Sequence, residues 1–210
     1  MSVDIEQQNN PLSYDKVNSP DKLLSLTSDN SIELSISLII EEIIKRNKQH
    51  PLYKKFLKKQ NKSIFNTNKI PRISILEYLH RINQFSEIER STLICTLIYL
   101  DRITKTNSIM LTEYNVHRLL SMSIIVSIKY NEDVIFYNDY YSTIIGFNLK
   151  EFNKIEAEYV CGINFNFFIK DDEFQTYKKF LHNYCYKKNV NNIIIIIIIC
   201  VNMIFITIKY

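Results

Sequence analysis

The chain has 210 residues, of which 46% are hydrophobic and 23% are charged, and its formal net charge is +4. This length suits one ordinary domain with tails. Only two glycines and four prolines are present. Because turn-rich β folds and glycine-dependent phosphate loops need residues that tolerate positive φ, this composition disfavours both and favours helices joined by short connections.

The first third of the chain divides into a polar tail, a helix and a linker. Residues 1–30 are rich in Ser, Asn, Asp and Gln and have no sustained apolar face, so they are predicted to form a disordered tail. Within residues 31–69, Ser31 is a predicted cap, and residues 32–47 carry isoleucines at helical spacing, which predicts a helix. Residues 48–69 show no comparable stripe and are predicted to be a linker.

This linker and the end of the preceding helix form a strongly basic segment. Between residues 43 and 72 there are ten lysines and arginines and no aspartate or glutamate. The composition favours a solvated linker in a lysine-rich protein, and contact with phosphate or an acidic surface is the alternative.

Five further helices are predicted between residues 70 and 168, which would form a compact all-α domain. Pro71 suits the start of the first helix, and Ser86 with Glu89 forms a capping-box pattern for the second. Gly146 and Gly162 fall where the fourth and fifth helices end. The five predicted spans are residues 72–83, 87–105, 113–130, 138–145 and 148–162.

Residues 169–210 form a C-terminal extension. Residues 171–188 have an aromatic and leucine stripe that predicts one more amphipathic helix. Seven consecutive isoleucines follow at residues 193–199, in an apolar run that Asn202 interrupts. The run is shorter than the ~20 residues needed to cross a bilayer. It suits a strand, a buried tail or an aggregation-prone segment. Contact with a membrane is not expected unless this isoleucine-rich run is a real anchor.

No residue pattern predicts a catalytic or metal site. The four cysteines are far apart in sequence without a C-x-x-C pair, and the histidines have no metal-ligand spacing with them. Neither a nucleophile–base pair nor a phosphate loop is evident, so no enzyme activity, cofactor or small-molecule substrate is expected. Together with a polar N-terminus, the cysteines indicate a cytoplasmic or nuclear protein with reduced thiols.

Four sequence blocks, in this order and at this spacing, resemble the cyclin box of the P-type and U-type cyclins related to phosphate signalling. They are PRISILEYLHRI (71–82), LIYLDR (97–102), LTEYNVHRLL (111–120) and SIKYNEDVIFYNDYYSTIIGFNLKEFNKIEAEYV (127–160). The resemblance implies a single five-helix cyclin box at residues 70–168. It further implies a regulatory subunit that binds and allosterically activates a cyclin-dependent protein kinase and performs no chemistry itself.

The resemblance also assigns two kinase-binding residues. In cyclins a lysine late in the third box helix and a glutamate in the fifth hold the kinase backbone near its mobile C-helix, and Lys129 and Glu156 match these positions. An ammonium donates to carbonyls and a carboxylate accepts from amides, so these residue types suit that contact. From the residues alone, Lys129 could instead be a helix C-terminal cation, and Glu156 could pair with Lys154 or face solvent.

Further expectations concern neighbouring residues. Tyr137, Tyr140 and Tyr141 follow Lys129 and are either core residues with outward hydroxyls or part of a kinase-facing rim. The resemblance further implies a structural pair between Asp101 and Arg72.

One feature departs from cell-cycle cyclins. Their Met-Arg-Ala-Ile-Leu docking motif is replaced here by residues 71–75, PRISI, and the chain contains no tryptophan. Docking of substrates through that groove is therefore not expected. A cyclin-like module associated with transcription or nucleic acid is the alternative function, and only the basic segment supports it, without the interleaved aromatic residues of a single-strand binder.

Overall fold

The computed structural model describes residues 31–60 and 62–187, and within these residues every regular element is an α-helix. The predicted all-α fold is thereby confirmed for this part of the chain. The predicted disordered tail and the isoleucine-rich run lie outside the described residues. The helices are α1 (Ser31–Gln49), α2 (Tyr53–Gln60), α3 (Ile75–Ser86), α4 (Arg90–Thr106), α5 (Val116–Asn131), α6 (Asn138–Ile145), α7 (Leu149–Gly162) and α8 (Asp171–Lys187).

Helix α5 lies at the centre of the core. All of its residues from Val116 to Ile128 are buried except Arg118, as expected of a helix surrounded on several sides. Its serines let neighbouring helices approach: the hydroxyls of Ser123 and Tyr159 lie 2.6 Å apart. The α4 side chain Thr96 donates to Ser127 Oγ at 3.4 Å. Helix α5 thereby contacts both α4 and α7 through small polar side chains on an apolar face.

Helix α3 begins later than predicted. Ser74 is its N-cap, and Ser74 with Glu77 forms a complete capping box, so the helix starts at Ile75 and Pro71 lies outside it. The capping box predicted at Ser86 with Glu89 does not form, because Ser86 is the buried last residue of α3. Helix α4 begins at Arg90 after a Glu89 N-cap that makes no side-chain capping bond.

Helices α6 and α7 begin and end close to the predicted residues. Gly146 ends α6 with φ +80°, a left-handed conformation that glycine adopts without strain. Asn148 then caps α7 by accepting from the Glu151 backbone N–H at 2.8 Å. Gly162 ends α7 against α4, where a Cβ atom would lie 2.5 Å from Ile103 Cδ1. Here glycine permits a close approach of two helices.

Two flanking helices pack on this domain. The predicted isoleucine stripe of α1 is buried, with Ile36, Ile39, Ile40 and Ile44 in the core. Helix α8 is attached to α4 by a salt bridge between Arg102 and Glu173 at 2.7 Å. Helix α2 was not predicted: the basic segment contains eight helical residues between 53 and 60.

Candidate functional site

The candidate site lies where α5, α6 and α7 meet. Lys129 lies in the last turn of α5 and is the first residue after a run of ten buried ones, so its side chain leaves the core at this junction. A cation in the last turn also interacts favourably with the helix dipole. Glu156 lies in the second half of α7, on the turn after the buried Phe152. Both residues are therefore held by helices whose other faces are fixed in the core.

Lys129 and Glu156 form an ion pair, with Nζ and Oε1 2.6 Å apart. Their side chains are 27% and 17% exposed, so the pair lies at the protein surface without being fully solvated. Lys129 Nζ also lies 5.8 Å from the ring centroid of Phe152. The structure thus brings the two predicted residues together, and Glu156 pairs with Lys129 and not with Lys154.

Asn138, the first residue of α6, bridges the pair. Its Oδ1 accepts a hydrogen bond from Lys129 Nζ, and its Nδ2 donates to Glu156 Oε2 at 2.9 Å. Nδ2 also donates to Asn153 Oδ1 at 2.8 Å. Sequence reasoning missed Asn138 as a site residue, although its place as the first residue of a predicted helix, nine residues after Lys129, was visible.

The network leaves hydrogen-bonding capacity for a partner. Within the described residues, the Lys129 ammonium uses two of its three donors, one to Asn138 and one to Glu156. Each oxygen of the Glu156 carboxylate accepts one bond and has a further lone pair. The junction can therefore donate to a carbonyl and accept from an amide within a few ångströms, as one exposed backbone segment of another protein requires.

An apolar surface follows directly along the chain. Residues 134–137 (VIFY), between α5 and α6, are all exposed, with Val134 73% and Tyr137 88% accessible. We call them the VIFY strip. Phe136 contacts the Tyr140 ring, with centroids 4.5 Å apart, and the Tyr140 hydroxyl donates to the Phe85 carbonyl at 2.7 Å. Consecutive exposed apolar residues of this size are typical of an interaction surface.

The three predicted rim tyrosines have different environments. Tyr137 is almost fully exposed and Tyr140 is 38% exposed, so both can contribute to a rim. Tyr141 is completely buried, and its hydroxyl accepts from the Phe136 backbone N–H at 3.1 Å. The rim hypothesis is wrong for Tyr141, because the helical turn of α6 directs this side chain into the core.

The predicted pair between Asp101 and Arg72 is also wrong. Asp101 pairs with Lys105 at 2.6 Å and accepts from the Tyr177 hydroxyl at 2.9 Å, whereas Arg72 is exposed and precedes the N-cap of α3. Burial raises the pKa of the Asp101 carboxyl, and the hydrogen bond from Lys105 opposes that shift. The role of Asp101 is still structural in this arrangement, since it connects α4 to α8.

His117 and Arg118, in the block of residues 111–120, have structural contacts. Arg118 donates to the Ile64 carbonyl at 2.6 Å and pairs with Glu151, so it connects the segment before α3 to α7. His117 Nε2 donates to the Ile73 carbonyl at 3.0 Å, and burial lowers its pKa.

No group of His, Cys, Asp and Glu residues in the described part of the chain could hold a metal ion. Among the same residues, no helix has the length and apolar character needed to cross a membrane.

Comparison with known proteins gives consistent matches. The sequence model of the family described as Cyclin matches residues 14–167. The chain is 36% identical over 124 residues to Cyclin-U4-3 from Arabidopsis thaliana, and this aligned region covers 59% of this chain and 57% of that protein. It is 30% identical over 119 residues to Cyclin-P3-1 from Oryza sativa subsp. japonica, covering 57% and 50% of the two chains.

A fungal relative matches as well. PHO85 cyclin-like protein psl1 from Schizosaccharomyces pombe is 31% identical over 131 residues, which is 61% of this chain and 54% of that protein. The matched region thus spans between half and three fifths of the length of these relatives. The predicted resemblance to P-type and U-type cyclins is confirmed, and with a family match over well more than half of its residues, this chain belongs to the cyclin family.

Proposed function

We propose that this protein is the regulatory subunit of a cyclin-dependent Ser/Thr protein kinase and binds the kinase through the α5–α6–α7 junction. The observation that supports this most directly is the pairing of Lys129 with Glu156 beside the exposed VIFY strip. The two charged side chains would contact backbone groups at the start of the kinase C-helix. The apolar strip would supply the buried area that such an interface needs.

In this proposal the protein acts by binding alone. Docking would hold the kinase C-helix inward and so complete the lysine–glutamate pair that orients ATP in the kinase. The cyclin would supply no reacting group, and no small-molecule substrate or cofactor is required. We further propose that the complex forms in the cytoplasm or the nucleus.

The test is a double substitution, Lys129→Ala with Glu156→Ala, in the full chain. The tagged protein is purified from its own cells, and the kinase that copurifies is identified by mass spectrometry and reconstituted with purified cyclin. We expect the double variant to lose binding and activation of this kinase. Retained binding with the wild-type Kd would contradict the assigned site.

A matched control separates loss of the site from loss of the fold. Lys48 and Glu113 form another lysine–glutamate salt bridge, away from the junction residues in sequence and in contacts. The variant Lys48→Ala with Glu113→Ala should keep kinase binding. Circular dichroism of both double variants should show unchanged helicity, because surface salt bridges of this kind contribute only about 0–1 kcal/mol each.

A further inference from the structure

A concave surface is lined by α1, α2, α4 and α8, and none of its lining residues belongs to the α5–α6–α7 junction. It is an open cleft of about 100 Å³. Its walls are mostly apolar and come from four helices. They include Ile43 of α1, Phe56 of α2, Leu97 and Leu100 of α4, and Phe180 of α8.

Helix α2 gives this cleft a cationic edge. On α2 the side chains of Tyr53, Phe56 and Leu57 are half-buried, and Phe56 lines the cleft. The rest of the helix surface carries Lys54, Lys55, Lys58 and Lys59, all exposed. At 100° per residue, Lys59 lies about 60° and Lys55 about 100° from Phe56 around the helix, both on one side, whereas Lys54 and Lys58 lie about 160° away.

These lysines have no acidic partner within the described part of the chain. The neighbouring cations Arg46 and Lys48 are paired with Glu42 and Glu113, whereas the α2 lysines form no salt bridge there. Between residues 43 and 72 the sequence supplies no acid that could neutralise them. A solvated linker would not need an apolar face, but α2 has one and places Phe56 from that face at the cleft.

We propose that this cleft is a docking site for an acidic peptide segment with large apolar side chains, carried by a protein other than the kinase. A large apolar side chain of the peptide would enter the cleft between α1, α2, α4 and α8, and the Asp and Glu residues would contact the lysines of α2. Burial supplies affinity in such a site, and charge complementarity supplies orientation and rate of association. This site goes beyond the proposed kinase contact and does not depend on it.

Nucleic acid and membranes fit the same features less well. A nucleic acid would use the lysines but would leave the apolar cleft empty, and α2 exposes no aromatic ring fully for stacking on bases. A membrane surface would require the apolar face of α2 to point outward, whereas Phe56 lines a cleft within the protein.

The experiment selects peptides from a phage-displayed library of random 16-residue sequences on the immobilised full chain. We expect enrichment of acidic peptides that contain Leu, Ile or Phe. The most enriched peptide is then synthesised with a fluorophore, and its Kd is measured by anisotropy. Replacing its apolar residues with serine should abolish binding. The protein variant Lys55→Glu with Lys59→Glu should weaken binding about tenfold or more, and the interaction should weaken as salt rises.

The matched control reverses the charge of two exposed lysines of α7, Lys150→Glu with Lys154→Glu. It changes the net charge of the protein by the same amount as the α2 variant. This variant should change the Kd less than threefold. Equal effects of the two variants would overturn the proposal, because the attraction would then be nonspecific.

Other outcomes also overturn it. If the library yields no enriched peptide, the proposal is wrong. That result is expected if another part of the same chain already covers the cleft. A dimer that Ile43→Asp converts to a monomer would place a second copy there. Duplex DNA or phosphatidylserine vesicles could also bind more tightly than the selected peptide. If that binding is lost in Lys55→Glu with Lys59→Glu, the surface belongs to those ligands.

Discussion

The substitution Tyr137→Ala separates kinase binding from folding. Tyr137 is 88% exposed in the isolated protein, so its removal should change the free energy of unfolding by no more than about 0.5 kcal/mol. A tyrosine side chain offers roughly 200 Å² of surface. If the kinase covers about half of it, at about 25 cal/mol per Å², the contact is worth about 2.5 kcal/mol, or roughly a 60-fold change in Kd.

The assay measures both quantities on one protein sample. Calorimetry with the purified kinase gives Kd, and urea unfolding gives the midpoint. We expect a large rise in Kd with an unchanged midpoint. The buried neighbour Tyr141 is the control with the opposite outcome, because Tyr141→Ala should cost about 3–5 kcal/mol of stability. A Kd for Tyr137→Ala within threefold of wild type would refute the assignment of the VIFY strip to the kinase interface.

Two further predictions concern the fold itself. Gly162→Ala should lower the free energy of unfolding by about 1–2 kcal/mol, since the new Cβ would lie 2.5 Å from the buried Ile103 side chain, and calorimetry would show a lower melting temperature. His117 should make the protein less stable as the pH falls below about 6.5, because the unfolded histidine takes up a proton there while burial holds the folded pKa lower. Glutamine in His117→Gln can still donate to the Ile73 carbonyl but does not titrate. Denaturant unfolding at pH 5 and pH 7 should therefore show a smaller change in the free energy of unfolding for this variant than for the wild type. An identical change in both proteins would exclude His117 as the source of the pH dependence.

Helix boundaries could be predicted where one residue type satisfies a local requirement. Gly146 ends α6 and Asn148 caps α7, because positive φ and a free acceptor are needed at those positions whatever the rest of the fold does. A capping box was predicted at Ser86 with Glu89, and the one that forms, Ser74 with Glu77, was missed. Ser74 acts as the cap and Ser86 does not, since Ser86 is buried as the last residue of a helix that starts three residues later than predicted.

Helix α2 could not be found from an apolar stripe of full length. Its eight residues contain only three apolar or aromatic side chains. Because four of the others are lysines, the segment is typical in composition of a solvated linker. The pairing of Asp101 was missed for a different reason. Its partners Lys105 and Tyr177 come from one turn along the same helix and from α8, and no local signal ranks them above a distant Arg72.

The candidate site was predictable in part. Lys129 and Glu156 came from their positions in a family pattern, and neither residue would have been selected by its own surroundings in sequence. The bridging amide of Asn138 depends on how α6 enters the junction, which only the folded chain defines. Similarly, the alternation of exposed Tyr137 and buried Tyr141 depends on the rotation of one short helix.

The Asn138 bridge has a thermodynamic consequence. Lysine and glutamate side chains each lose about 1.5–2 kcal/mol of rotamer entropy when they are immobilised. Here both are held by hydrogen bonds within the chain, so this entropy is lost during folding and not when a partner arrives. Affinity for a partner at this junction is then coupled to local order. Conditions that loosen the contact of α6 with α5 and α7 should weaken binding well before the protein unfolds.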